Sequence, residues 1–453
     1  MAIWHSKIMQ DITNGITDGE WAGNGLVINS KDILPGDIFV ALPGSKTDGH
    51  EFVKAAKENG AAAAIVNKKI NEDIPQLIVP DVYEAVIKLS AYKRQTVKAC
   101  FIGITGSVGK TTTKEILAKC LAEVGIVFAT KGNFNGQLGL PLTMASIPDN
   151  AEYVICELGM SMKGEMTNLA LMLKPDYVII TNIAAVHKEF FATVSDIALA
   201  KAEVFNGMKR GSTAILNADN DYYHILKKEA EKAGINVIDC GNNGIYEISK
   251  LELLTENNSQ VEIKTQNGYI NYKIATNSHH LIANSLLTLA LLDVLKTNLN
   301  KITKVFASIS DYSGRGDILK IEKWGKQITI IDDSYNSSPE SLRAALKRLN
   351  LFNAKRKIAV LSDMLELGDE ANNFHLAMLK EISNNDIDKV ITYGDYMKNL
   401  YLSLPAAVQM YHAETLEDLE SFLAGNIESG DLALFKGSHG TGLYKLMQLF
   451  KGV

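Results

Sequence analysis

Apolar residues recur along this chain in short blocks divided by polar turns, and the rhythm of the blocks changes twice. In the first stretch, 37–42 reads as a strand, 52–59 as a helix stopped by Gly60, 61–66 as a strand, and 77–82 as another strand. A helix at 83–94 then leads into a strand at 100–104. From there helices at 111–122, 166–173 and 194–205 alternate with strands at 153–156, 177–181 and 212–217. Such alternation with short joins predicts a largely parallel sheet covered by helices. Past Tyr246 the pattern becomes hairpin-like, with strands at 261–265 and 269–274 across Gln266-Asn-Gly268, followed by a helix at 280–296. A third unit starts after Ser313-Gly-Arg-Gly316, a natural hinge, with strands at 328–331, 357–361, 389–392 and 432–435. The predicted fold class is therefore α/β, in three domains at 1–84, 85–312 and 313–453.

Composition narrows the setting. With 453 residues the chain is too long for one ordinary core, and 46% hydrophobic with 22% charged residues suits a globular protein. Forty-six Lys and Arg face 52 Asp and Glu, a formal charge of −6, without a basic tract, so nucleic acid is not the expected partner. The first residues lack the order of a signal peptide and no apolar run is long enough to span a bilayer. Cys100, Cys120, Cys156 and Cys240 lie far apart without metal-ligand spacing, which favours free thiols, a reducing compartment and a cytoplasmic location.

The chemistry concentrates in Gly103-Ile-Thr-Gly-Ser-Val-Gly-Lys-Thr-Thr-Thr-Lys-Glu115, between a predicted strand and a predicted helix. Backbone N–H groups of such a loop point at a polyphosphate, Lys110 reaches its outer phosphates, and the Thr111 hydroxyl suits Mg²⁺. Ile104 stands where the commoner G-x-x-x-x-G-K-[ST] pattern has glycine, which argues for a particular branch of nucleotide-binding proteins. Glu157 ends the next strand and Thr181-Asn-Ile183 another, with His187 just beyond, so polar groups leave neighbouring strand ends beside the loop. Mg²⁺ favours oxygen ligands, so His187 needs other support. Lys201, within a helix, reads as solvated on composition alone, and Asn133 and Asn135 as turn residues. In Ile330-Ile-Asp-Asp-Ser-Tyr-Asn-Ser-Ser-Pro339 a strand ends in acids, an aromatic and an amide, a combination suited to gripping ribose, base or phosphate.

With these motifs in view the chain resembles the Mur ligases, ATP-dependent amide-forming enzymes of peptidoglycan precursor synthesis, over nearly its whole length. The matches are the loop itself, Asn133-Phe-Asn135 with Gly139-Leu-Pro-Leu-Thr143, Glu157-Leu-Gly159 with Gly164-Glu165, and Thr181-Asn-Ile183 with His187. Further along they are Asp332-Asp-Ser-Tyr-Asn336 with Pro339, Val360-Leu-Ser-Asp-Met-Leu-Glu-Leu-Gly368 with His375, and Lys436-Gly-Ser438. The resemblance implies a small mixed α/β N-terminal domain binding a UDP precursor, a central P-loop ATPase-like domain with a mostly parallel sheet, and a C-terminal Rossmann-like α/β domain. It implies ATP contacts from Gly106, Ser107, Val108, Gly109, Lys110, Thr111, Thr112, Asn284, Arg315, Asp332, Tyr335 and Asn336. Lys110, Asn135, Glu157, His187 and Lys201 would be catalytic, with Thr111 and Glu157 on one Mg²⁺ and His187 and Lys201 at a second. Carbamylation of Lys201 would turn its ammonium into an oxygen donor. Ser30, Lys31, Asp48, Gly49, His50, Asn336, Lys436 and Ser438 would face the substrates.

Within the family the pattern is most like the member that joins D-alanyl-D-alanine to UDP-N-acetylmuramoyl-tripeptide through an acyl phosphate, usually as a monomer. The alternatives are a Mur-type ligase with another amine or carboxylate carrier and, in a different class, a P-loop regulatory protein. Several positions depart from the family: Asn29-Ser-Lys31 for Asp-Ser-Arg, His439 for arginine, Asn277-Ser-His-His280 for a glycine-rich turn, and Gly136 for asparagine. Lys31 keeps a charge for UDP but loses the bidentate fork of arginine.

Overall fold

The computed structural model describes residues 2–44, 47–185, 189–255, 257–311 and 314–451. After helix α1 (Ser6–Thr13), strands β1 (Ile16–Thr17), β2 (Leu26–Val27), β3 (Ile38–Val40), β4 (Ala63–Val66) and β5 (Gln76–Ile78) form a sheet ordered β1-β5-β4-β3-β2. Only β1 runs antiparallel to its neighbour. Side chains alternate across a strand, and here both faces are buried. Ile38, Val40, Ala63 and Ile65 enter one core, while Phe39, Ala64 and Val66 enter another beneath α2 (Val53–Glu58).

Helix α3 (Val82–Thr96) starts where the Asp81 carboxylate accepts the Glu84 N–H at 2.9 Å. Its buried Val82, Ala85, Val86 and Leu89 recur at helical spacing and pack into the first of these cores. Leu142 and Ala145 of the next unit join the same cluster, and the Trp4 indole donates to the Ala145 carbonyl at 2.7 Å. One apolar cluster thus holds the first two sheets together.

The second sheet comprises β6 (Cys100–Thr105), β7 (Val127–Ala129), β8 (Tyr153–Glu157), β9 (Tyr177–Ile180), β10 (Thr213–Asn217) and β11 (Asn236–Cys240). Its order is β11-β10-β9-β6-β8-β7, all parallel. The connecting helices are α4 (Lys110–Ala122), α5 (Gly139–Ala145), α6 (Glu165–Leu173), α7 (Val194–Ala202) and α8 (Tyr223–Ala233). An antiparallel sheet of β12 (Glu247–Thr255), β13 (Asn258–Thr265) and β14 (Gly268–Ile274) follows, then α9 (His279–Val294) and α10 (Leu299–Phe306).

The chain crosses once to the third sheet. There the antiparallel pair β15 (Asp317–Lys323) and β16 (Lys326–Asp333) precedes α11 (Pro339–Asn350), β17 (Arg356–Ser362), β18 (Lys389–Tyr393), β19 (Gln409–Ala413), β20 (Asp431–Lys436) and α12 (Leu443–Lys451). The order β15-β16-β20-β17-β18-β19 leaves β15 and β19 at the edges. Neither was predicted from the sequence, and neither were β11 and β12. β15 and β12 interleave Lys and Glu with apolar residues, so their apolar signal is diluted. Among the described residues, no helix is long and apolar enough to cross a membrane.

Candidate active site

The carboxyl ends of β6, β8 and β9 meet those of β16 and β20 across a cleft of about 1340 Å³. Its walls include Ser107 to Thr112, Asn135, Glu157 and Asn284 on one side, and Arg315, Tyr335, Asn336, Lys436 and Ser438 on the other.

The glycine-rich loop is anchored from the neighbouring strand. Gly106 has φ +147, and a Cβ there would stand 2.0 Å from the Thr181 hydroxyl. Thr181 in turn donates to the Val108 carbonyl at 2.6 Å, and the Ser107 N–H donates to the Asn182 carbonyl at 2.7 Å. Gly109 has φ +88, and its missing Cβ leaves room for the Asn284 amide beside the start of α4. Helix α4 therefore opens with free N–H groups directed at the cleft, the arrangement that receives a phosphate.

Glu157, 2% exposed, is the focus of the polar network. The Thr111 hydroxyl and the Asn135 amide each donate to its carboxylate at 2.9 Å, while its own N–H donates to Thr130 Oγ1 at 3.1 Å. Arg315 reaches from the third-sheet side to donate to the Thr111 hydroxyl at 3.2 Å, its guanidinium lying over the Tyr335 ring at 4.3 Å. The Lys110 ammonium folds back to the Gly106 carbonyl at 2.8 Å. Burial lowers its pKa, Glu157 opposes that, and Arg315 adds to it.

Lys201 is 1% exposed, in contrast to the solvated reading its composition gave. Burial, then the charge of Lys110, drives its pKa well below the ordinary lysine value. No ion pair to Lys201 forms among the described residues. His187, the other candidate at the second metal position, lies outside the described residues. Among those described there is no group of three or more His, Cys, Asp or Glu placed to hold a metal. The Thr111 hydroxyl and Glu157 carboxylate oxygens instead fit a hard cation that also takes phosphate oxygens and water.

Other sequence candidates prove to be tied internally. Asp332 accepts from the Gly314 N–H at 3.1 Å, from Ser334 Oγ at 2.6 Å and from Lys451 at 2.6 Å, so it fixes the linker and lies behind the cleft wall. Lys436, 1% exposed, donates to Asp333 at 2.6 Å and to the Asn336 carbonyl at 3.0 Å. Ser438 accepts the Leu365 N–H at 2.9 Å, holding the 364–368 turn at the cleft. His439 stacks on Tyr444 at 4.3 Å and lies 5.2 Å from Tyr335, giving this wall an aromatic rim.

The first-domain candidates stand apart: Ser30, Lys31, Asp48, Gly49 and His50 do not line the cleft. His50 is buried, its Nδ1 2.5 Å from Asp48 and its Nε2 accepting the Asn67 N–H at 3.1 Å. Hydrogen bonds from the His50 backbone and ring hold the Asp48 carboxyl well below the usual range. Lys31 is exposed and Ser30 buried, with Asn29 capping the turn through the Lys31 N–H at 3.1 Å. Thr130, which orients the acid, is not among the residues the sequence marks, while Thr181, which orients the loop, is marked only as part of the Thr181-Asn-Ile183 strand end. Both follow apolar strand residues at the same end of the sheet, the local signal they share.

A phosphate loop, an acid on the adjacent strand and an arginine from a second α/β sheet define a nucleotide-using protein whose site is shared between two domains. The chain belongs to the Mur ligase family. Residues 24–105 match the description "Mur ligase family, catalytic domain", 104–292 "Mur ligase middle domain", and 314–439 "Mur ligase, glutamate ligase domain". The UDP-N-acetylmuramoyl-tripeptide–D-alanyl-D-alanine ligase of Rickettsia prowazekii is 35% identical over 99% of this chain and 100% of its own. The Escherichia coli ligase of the same name is 31% identical over 85% of each chain. Among solved structures, MurF from Acinetobacter baumannii matches with a TM-score of 0.84 and 26% identity over 99% of both chains. MurF ligase from Thermotoga maritima, solved in complex with ADP, matches with a TM-score of 0.78 and 28% identity over 95% of this chain and 97% of its own.

Proposed function

We propose that this chain is an ATP-dependent ligase that joins D-alanyl-D-alanine to UDP-N-acetylmuramoyl-tripeptide in peptidoglycan precursor synthesis. The observation that carries this reading is the Arg315–Thr111–Glu157–Asn135 network, which assembles a nucleotide site from two domains in a chain 35% identical end to end to a ligase of that name. A carboxylate does not condense with an amine unaided, because its oxygen leaves poorly. The precursor's terminal carboxylate attacks the γ-phosphorus of ATP, giving an acyl phosphate and ADP. The dipeptide amine then attacks the acyl carbon, phosphate departs, and the amine's proton is lost to the surroundings.

The loop N–H groups and Lys110 neutralise charge on the transferring phosphoryl group, and Arg315 does so from the opposite wall. Thr111 and Glu157 would hold Mg²⁺, which supplies charge neutralisation at the phosphates. Lys201 belongs to the same proposal. A buried amine held neutral is nucleophilic toward CO₂, and the carbamate it forms, with release of a proton, is an oxygen donor beside the phosphate loop. Lys31, Ser30 and the Asp48–His50 turn are proposed to receive the UDP end. The proposed boundary near 312 draws support from the single crossing into the third sheet, whereas 84 falls inside α3, whose buried face packs into the first core. We propose a monomer.

The deciding experiment is phosphate release by the purified chain with Mg²⁺, UDP-N-acetylmuramoyl-tripeptide and D-alanyl-D-alanine, with mass analysis of the product. A product heavier by one dipeptide less water is expected. ATP turnover with a single amino acid in place of the dipeptide would move the chain to a neighbouring ligase activity.

A further inference from the structure

The linker that carries Arg315 is fastened by a residue on another element. Arg348, 9% exposed on α11, donates from Nη2 to Asp311 at 2.6 Å, from Nη1 to the Gly316 carbonyl at 2.7 Å, and from Nε to the Asn277 side chain at 3.1 Å. Asp311 and Gly316 lie on either side of Arg315. Asn277 precedes α9, the helix that sets Asn284 against Gly109. Asp311 is further held by the Thr276 hydroxyl at 3.0 Å. Burial pushes its carboxyl up to about 6, with Arg348 opposing that rise. At Gly316, φ is +94, and a Cβ would stand 2.4 Å from Arg348 Nη1, so the close approach requires glycine. All three donor directions of one planar fork are used, which lysine could not reproduce.

We propose that Arg348 is the positioning residue for Arg315, binding both ends of the linker and the start of α9 so that the Arg315 guanidinium is delivered to Thr111. The proposal rests on the reading that Arg315 serves the nucleotide. Among the described residues no hydrogen bond joins Arg348 to the phosphate loop, although it lines the same cleft. The effect proposed for it passes chiefly through the residue it places.

The test is a double-mutant cycle in the full chain with R315A, R348M and the double variant, reading kcat/KM for ATP, KM for the UDP precursor, and Tm. R348M is expected to lose about 10²-fold in kcat/KM for ATP, the scale of a misplaced catalytic group, with KM for the UDP precursor unchanged. The double variant is expected to be no slower than R315A. Losses that multiply in the double variant would overturn the proposal while leaving the Arg315 reading intact. Wild-type turnover by R315A alone would remove that reading, and the proposal with it. If R348M does not fold, R348M/D311N takes its place in the cycle, since removing both partners leaves no buried charge unpaired.

Discussion

A lysine with 1% of its surface exposed and another cation as its charged neighbour costs the fold stability. The sign follows from proton counting. Below the ordinary lysine value of 10.5 the unfolded chain takes up a proton that the buried Lys201 refuses, so stability is lost as pH falls from there towards the depressed folded value. Lys201→Met should therefore raise Tm at about pH 7, and the gain should fade towards about pH 10. Turnover should fall on the order of 10²-fold or more. Thermal melts across pH in bicarbonate-free buffer, beside ATP turnover, check both halves. A variant that loses Tm at neutral pH would show that this lysine is not an uncompensated burial.

At the scale of elements, the phosphate loop depends on a strand it does not follow in sequence. Gly106→Ala places a methyl group against Thr181 and forces a non-glycine residue to φ +147. A stability loss of about 1–3 kcal/mol is expected. A rise of about tenfold or more in KM for ATP should accompany it. Denaturant melts and initial rates at varied ATP measure the two. The loop itself was legible because strand, glycines, lysine and helix are contiguous, and Glu157 because an acid closes an apolar run. Thr181 was legible as part of a motif, but its clasp on Val108 spans 73 residues. The Lys436–Asp333 pair spans 103 residues and the Arg348–Asp311 pair 37, and such pairings depend on strand order rather than on local pattern. The exposure expected of Lys201 failed for the same reason, since its burial on α7, beside the buried Ile197, Ala198, Ala200 and Ala202, depends on which elements pack against the helix.

Across the whole molecule, the residues proposed to hold the UDP end are outside the cleft that holds the nucleotide machinery. The two functions should separate kinetically. Lys31→Ala is expected to raise KM for the UDP precursor about fivefold, as befits one exposed charge, and to leave KM for ATP unchanged. Lys31→Arg should lower the precursor KM below wild type, because the fork adds a second hydrogen bond to a phosphate. Initial rates with each substrate varied in turn measure this, and a parallel change in both constants would contradict the separation.

The single crossing between Asp311 and Asp317 has a further meaning. Each side of it has its own sheet and core, so the covalent thread contributes little to either fold. Its contribution is effective concentration. A short tether keeps Arg315 close to Thr111, which turns assembly of the proposed nucleotide site into an intramolecular event independent of how dilute the protein is. A chain cut at that point would keep both halves of the site and make their meeting a matter of ordinary second-order encounter.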